Sequence, residues 1–224
     1  MAHYLIEFRF QGKAKSEIKR LIYDVDRKCN VGNTLNKRPI PHITLVAPFS
    51  TKDEKRLIND FYNLCNKEDI MKFSINGFDF FENNKVVYLK VIPSNNMDSF
   101  RWELSKKLQS YCTLKAIDYD RKYPFHSTIL MKLTTSEFER VKKYVLKREF
   151  KLKHIITRLT LLKNSEILKE YDFLQKKMFD RKLAKSKKVG MKTGNLLKDY
   201  LSKKTINNSN NKLNFWGKIK SWFK

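Results

Sequence analysis

The chain has 224 residues, an apolar share of 41%, and 48 Lys and Arg against 23 Asp and Glu, for a formal net charge of +25. That length and apolar content suffice for one bilobal domain or two small ones with a real core. Three widely spaced cysteines, Cys29, Cys65 and Cys112, exclude a disulfide framework and a paired-cysteine zinc site, and each falls in a helical pattern that favours a buried free thiol.

An anionic partner is the first expectation from the charge, with nucleic acid and an anionic membrane surface as candidates, against the plainer reading of a solvated, Lys-rich exterior. Tyr4-Leu5-Ile6 is too short for a secretory signal, and no apolar run is long enough to cross a bilayer. The expected location is cytoplasmic, and the expected state a monomer.

His3 to Phe10 alternates as a strand, and Lys13 to Cys29 has helical spacing with Ile18, Leu21, Ile22 and Val25 on one side. Gly32 to Arg38 is a polar connection. Pro41-His42-Ile43-Thr44-Leu45-Val46 reads as a strand, and Thr51-x-x-Glu54 as a capping box opening a helix through Cys65. Phe73 to Phe80 and Val86 to Ile92 are strands joined at Asn83-Asn84. Ser94 to Cys112 is a helix with Met97, Phe100, Leu104 and Leu108 on its inner stripe. The loop Asp118 to Tyr123 enters a second motif, Pro124-Phe125-His126-Ser127-Thr128-Ile129, followed by a second capping box, Thr134-x-x-Glu137. Ile155 to Leu162 and Ile167 to Phe173 complete the strands, and the mixture without strict alternation implies an α+β fold.

From residue 176 the composition changes. Residues 176–224 hold fifteen Lys and Arg against two Asp, which places +13 of the charge in a basic tail expected to be partly disordered. Thr205 to Asn211 reads as a flexible linker. Residues 212–224 read as a short amphipathic helix, with Phe215, Trp216, Ile219, Trp222 and Phe223 on one face, able to meet an anionic membrane or nucleic acid. The domain reading is therefore a body at 1–175 and a tail at 176–224.

The two histidine motifs lie 84 residues apart in a chain with four histidines. In a strand, residues two apart share a face, so His42 lies beside Thr44 and His126 beside Thr128. Two imidazoles facing one another can run phosphodiester chemistry without a metal. One takes a proton from the attacking oxygen and the other gives one to the leaving oxygen. The threonine hydroxyls would hold the phosphoryl oxygens. No Gly-rich phosphate loop or carboxylate cluster suggests another mechanism, and neither cofactor nor metal is expected. His154, between Lys153 and Ile155, reads as a surface residue at a strand start. A non-catalytic basic RNA-binding module and a membrane-tethered phosphoesterase are the competing readings.

His42-Ile43-Thr44-Leu45, flanked by Pro41 and Pro48-Phe49, and His126-Ser127-Thr128-Ile129 resemble the tandem motifs of the 2H phosphoesterase superfamily, and within it the RNA 2′,3′-cyclic phosphodiesterases or 2′-5′ RNA ligases. The resemblance covers roughly residues 1–175. It implies two pseudo-symmetric lobes, each an antiparallel sheet with outer helices, around one cleft. It also implies opening of 2′,3′-cyclic phosphate termini to 2′-phosphates, with reversible 2′-5′ joining in some members. RNA ends, 2′-5′ linkages or a small cyclic nucleotide are the implied partners. By the same resemblance His42 is the acid, His126 the base, and Thr44 and Thr128 bind phosphate, although near-equivalent halves leave the acid and base exchangeable. Many bacterial relatives carry an arginine five residues after the second histidine. Here that residue is Met131, followed by Lys132, so the extra cation is sought in Arg38, Arg121 or Lys122. Phe49 and Tyr123 are candidate base-stacking rings, with core packing the alternative for Phe49.

Overall fold

Tyr4, Ile6 and Phe8 point into the core along β1 (Tyr4–Arg9), while Leu5, Glu7 and Arg9 take the opposite face. The computed structural model, which describes residues 2–32 and 39–202, repeats that division in two antiparallel sheets. Next come α1 (Gly12–Cys29), β2 (His42–Thr51), α2 (Glu54–Lys67) and β3 (Met71–Phe81). The second half follows with β4 (Val86–Pro93), α3 (Asn95–Leu108), β5 (Cys112–Thr113), β6 (His126–Leu130), α4 (Thr135–Val145) and β7 (Lys151–Ile156). Then come β8 (Arg158–Lys163), β9 (Glu166–Asp172), β10 (Lys177–Phe179), α5 (Arg181–Ala184) and a helix over residues 187–202, here α6. One sheet has the order β10-β9-β8-β1-β2-β5, the other β6-β4-β3-β7. The run β2-β1-β8 therefore corresponds to β6-β4-β3, and the fold is the expected α+β arrangement of two related lobes.

The helices weld the lobes by exchange. α1, from the first half, packs on α4 and β6 of the second; α3, from the second half, packs on α2 and β2 of the first. α3 also meets β3 and β4 and so spans both sheets, and the apolar stripes of all four helices join one continuous core. A bulge in β3 keeps that core in register. Gly77, at φ +73, adds one residue between Ile75 and Phe78, so both still oppose core residues of β4, Val91 and Leu89. Beyond it, Asp79 and Phe81 share the opposite face with Tyr88.

A buried arginine on α3 ties the two motif strands together. Arg101 is fully buried, on the apolar stripe between Met97 and Leu104. Its guanidinium donates to the carbonyls of Leu45 in β2 (3.3 Å), Ile117 (3.1 Å) and Asp120 (2.8 Å), and lies 4.0 Å over the Tyr123 ring. Asp118, 3.6 Å away, accepts from the Ala47 amide at 3.0 Å. Burial pushes Asp118 up and Arg101 down from their ordinary pKa values, each opposed by the partner's charge. The pair fixes β2 against the loop that enters β6.

Several expectations are corrected. Thr51 does not cap α2. β2 runs on to pair with β5, which keeps Thr51 in the strand, and Asp53 caps instead by accepting from the Arg56 amide at 2.9 Å. The second capping box stands as read, with Thr134 and Glu137 bonded reciprocally. Ile155 to Leu162 is not one strand: Ile156 pairs with Met71 in one sheet and Arg158 with Asp172 in the other, so the chain changes sheets at Thr157. The apolar run continues because both strands bury a face. Cys112 lies in β5 rather than a helix, and all three cysteines are buried and free. His154 is no surface residue at a strand start; mid-strand in β7, its ring stacks on Phe10 and meets Phe8 and Phe73 edge-on or tilted.

Secondary structure also continues past residue 175, where composition places the basic tail. β10 pairs with β9, and α6 seats Thr193 on a buried charge network. Arg158 donates to Asp172 (2.9 Å), Glu170 (3.0 Å) and Thr193 (2.5 Å), and Thr160 donates to Glu170 (2.9 Å). The segment's abundant lysines hid these few inward residues. The linker at 205–211 and the amphipathic helix at 212–224 lie outside the described residues, as does Arg38.

Two stability outcomes follow. Thr193→Val leaves buried Arg158 and Asp172 short of a partner and is expected to cost about 1–3 kcal/mol in urea unfolding; an unchanged midpoint would show α6 to be loosely attached. Arg101→Met is expected to cost about 3–5 kcal/mol, because Asp118 stays buried without its cation. A loss below about 1 kcal/mol would show that the guanidinium does not hold the motif strands.

Candidate active site

Both histidines are half-buried on the non-core faces of their strands, each beside its threonine. Their local geometry is the same. His42 Nδ1 lies 2.8 Å from the Ile40 carbonyl, and His126 Nδ1 lies 2.7 Å from the Pro124 carbonyl. A carbonyl oxygen only accepts, so Nδ1 carries the hydrogen in both rings. Nε2 is left as the atom that takes or gives a proton. A proline-containing entry precedes each strand, Pro39-Ile40-Pro41 in one case and Pro124 in the other.

β2 and β6 belong to different sheets yet pack together, and the charge of one ring acts on the other. Burial is the main force on His126 and lowers its pKa below the ordinary 6.5; His42 lowers it further, while the bond to Pro124 opposes the shift. His126 is therefore the ring held ready to accept a proton.

Cross-strand neighbours complete each half. Arg9 lies opposite His42 and Glu7 opposite Thr44. In the second lobe Lys90 lies opposite His126 and Tyr88 opposite Thr128. Residues directly opposite share a face, so each His-x-Thr pair meets a cation opposite the histidine. Glu7 is 3% exposed, accepts from Arg9 Nε at 2.5 Å, and its other oxygen is 3.7 Å from His42 Nε2. Around His126 the environment is aromatic: Phe81 meets the ring edge-on at 5.0 Å and Tyr88 at 5.2 Å. Burial and the neighbouring Asp79 push the Tyr88 phenol up to about 12, so it stays neutral. The ladder from Glu7 continues to Thr160 and Glu170, which brings the network under α6 onto the face that carries His42.

The remaining sequence candidates divide. Arg121, Lys122 and Tyr123 do come near the second motif, lining a pocket of about 390 Å³ with Tyr88, Lys90 and Asp79. Arg121 is already paired with Asp98 at 2.6 Å and Lys90 with Asp79 at 3.7 Å, and Lys122 is the third cation of the pocket. Tyr123 is nevertheless buried at 8% exposure beneath Arg101, with Phe125 edge-on, and presents no stacking face. Phe49 is likewise core, stacked on Tyr4 at 5.8 Å, because β2 turns that position inward. Met131 is exposed and Lys132 takes φ +60 at the strand end. Sequence reading missed Arg9, Lys90, Glu7 and Phe81. Their alternation with apolar neighbours resembles an ordinary solvent face, and only strand pairing brings them to the motifs.

No metal-binding group of three or more His, Cys, Asp or Glu occurs among the described residues, nor does any described helix have the length and apolarity to cross a membrane. No curated protein matches the chain. Among solved structures, Escherichia coli LigT complexed with 3′-AMP superposes at a TM-score of 0.50 with 18% identity, over 76% of this chain and 97% of that one. Kluyveromyces marxianus Usb1 is also similar, with a TM-score of 0.43 and 9% identity over 74% and 95% of the two chains. The MHV ns2 PDE domain gives 0.43 and 12% over 73% and 99%. A family model described as the 2′-5′ RNA ligase superfamily matches residues 16–167, a span that contains both histidine motifs and both exchanged helix pairs. On that match, the chain belongs to the 2′-5′ RNA ligase superfamily, the 2H phosphoesterases.

Proposed function

We propose that the chain opens RNA 2′,3′-cyclic phosphate ends to 2′-phosphates, with His42 and His126 as its catalytic residues. The observation that carries this reading is the matched pair of imidazoles, each with Nδ1 held by a carbonyl two residues back and Nε2 left for proton transfer. Nε2 of His126 takes the proton of water as its oxygen forms a bond to phosphorus. The bond from phosphorus to the 3′ oxygen breaks, and that oxygen receives a proton from Nε2 of His42. Thr44 and Thr128 donate to the non-bridging oxygens, and Arg9 and Lys90 balance their charge. A 5′-hydroxyl in place of water gives a 2′-5′ linkage by the same displacement, which is why joining and cleavage belong to one site. Phe81 offers a ring beside His126 on which a base can stack.

The burial of His126 supports its part in this reading: it lowers the pKa of that ring and keeps it neutral, as a base requires. Both proton transfers come from imidazoles, so the reaction as written needs no metal. The domain carrying it comprises residues 1–175, with 176–202 packed against it and the basic remainder available to nucleic acid or an anionic surface.

The direct test uses the full chain with a 2′,3′-cyclic nucleotide and a 2′-5′ dinucleotide in EDTA, with product position read by NMR. Turnover to the 2′-phosphate is expected, and His42→Ala and His126→Ala should each reduce it by about a hundredfold or more. Salt-sensitive RNA binding without turnover would instead identify a basic binding module. The pH profile gives a second check. His126 must be neutral to act, and its folded pKa lies below 6.5, so activity should rise with pH along a limb centred below that value. A limb at or above 6.5 would remove His126 from the role of base.

A further inference from the structure

The two motifs are local copies, but their cross-strand partners differ at one position. Opposite Thr44 stands the carboxylate Glu7; opposite Thr128 stands the phenol Tyr88. From the position of that single difference we propose that Glu7 is a positioning residue that fixes His42 as the proton donor of the pair and leaves His126 as the acceptor. The proposal rests on the phosphodiesterase reading above.

The neighbours of His42 on β1 include Glu7 and, directly opposite, Arg9. Glu7 is buried and cannot be screened by water. One oxygen is taken by Arg9 at 2.5 Å, and the other stands 3.7 Å from His42 Nε2. That distance is too long for a hydrogen bond, so the carboxylate faces the Nε2 edge of His42 without taking up its donor. That donor stays available to the leaving 3′ oxygen. Arg9 keeps the carboxylate from opposing the arriving phosphate, and Arg9 in turn acts on Glu170. Among the described residues no carboxylate stands against His126 in the same way. Its influences are burial, the Pro124 carbonyl and His42, while Asp79, the acid of that lobe, is taken up by the Tyr88 hydroxyl and by Lys90 at 3.7 Å.

A substrate with sulfur in place of the bridging 3′ oxygen tests this directly, because a thiolate leaves without needing a proton. In Glu7→Gln, kcat for the ordinary 2′,3′-cyclic nucleotide should fall about tenfold or more with KM not raised, while the sulfur-bridged substrate stays within about threefold of wild type. Glu7→Asp, which keeps the charge, should retain more of the ordinary rate than Gln does. Equal loss on both substrates, loss on neither, or an Asp deficit as large as that of Gln overturns the proposal. His126→Ala should lose both substrates. A wild-type chain inert towards both overturns the phosphodiesterase reading itself and the role of Glu7 with it, a signature distinct from the other outcomes.

Discussion

One buried guanidinium ties together the two strands that carry the histidine motifs. Arg101 reaches from α3 to the carbonyl of Leu45, the residue after Thr44, and to the carbonyls of the loop that delivers Tyr123, Pro124 and Phe125 to the second motif. Both motif strands are edge-near elements of different sheets, and sheets of separate lobes can slide. A side chain with five donors in a rigid plane is suited to hold three carbonyls in a fixed relation. Burying the charge costs desolvation, which Asp118 and the face of Tyr123 offset only in part. The return is geometric: the loop cannot move without breaking several bonds to one group.

The helix exchange serves the same end on a larger scale. α1 covers the sheet of the other half, and α3 spans both sheets. Neither half can bury its apolar face alone, so the halves fold as one unit. The relation between His42 and His126 is thereby tied to the integrity of the whole core rather than to a linker.

Much of this was legible in the sequence, for a definite reason. A strand has a side-chain period of two, so His-x-Thr states on its own that the two groups share a face. The repeat, the α+β class and the second helix cap followed from local patterns of the same kind. What failed were judgements that depend on pairing. Thr51 has a good capping signature, but β5 claims its backbone first, and Asp53 takes the helix end. Tyr123 sits next to the second motif in sequence and turns into the core in space. Glu7, Arg9 and Lys90 lie far from their partners in sequence, and no alternation pattern distinguishes a polar residue facing a cleft from one facing water. Arg101 did leave a trace: it falls four residues after Met97 and three before Leu104, on a stripe that should be apolar. A charge at such a position calls for a buried partner.

The segment after β9 makes the same point about the cleft face. The family match ends at residue 167, yet Arg158 within it is packed with the Glu170 and Asp172 charges and the Thr193 hydroxyl of α6 beyond it. The strand ladder runs Thr44, Glu7, Thr160, Glu170, so this network grows from the face that holds the first motif and not from the outer, helix-covered one. α6 therefore walls one side of that face and shields charges that an open sheet would leave to solvent. A segment that composition alone assigns to a basic appendage thus closes over buried charges on the same sheet face as His42.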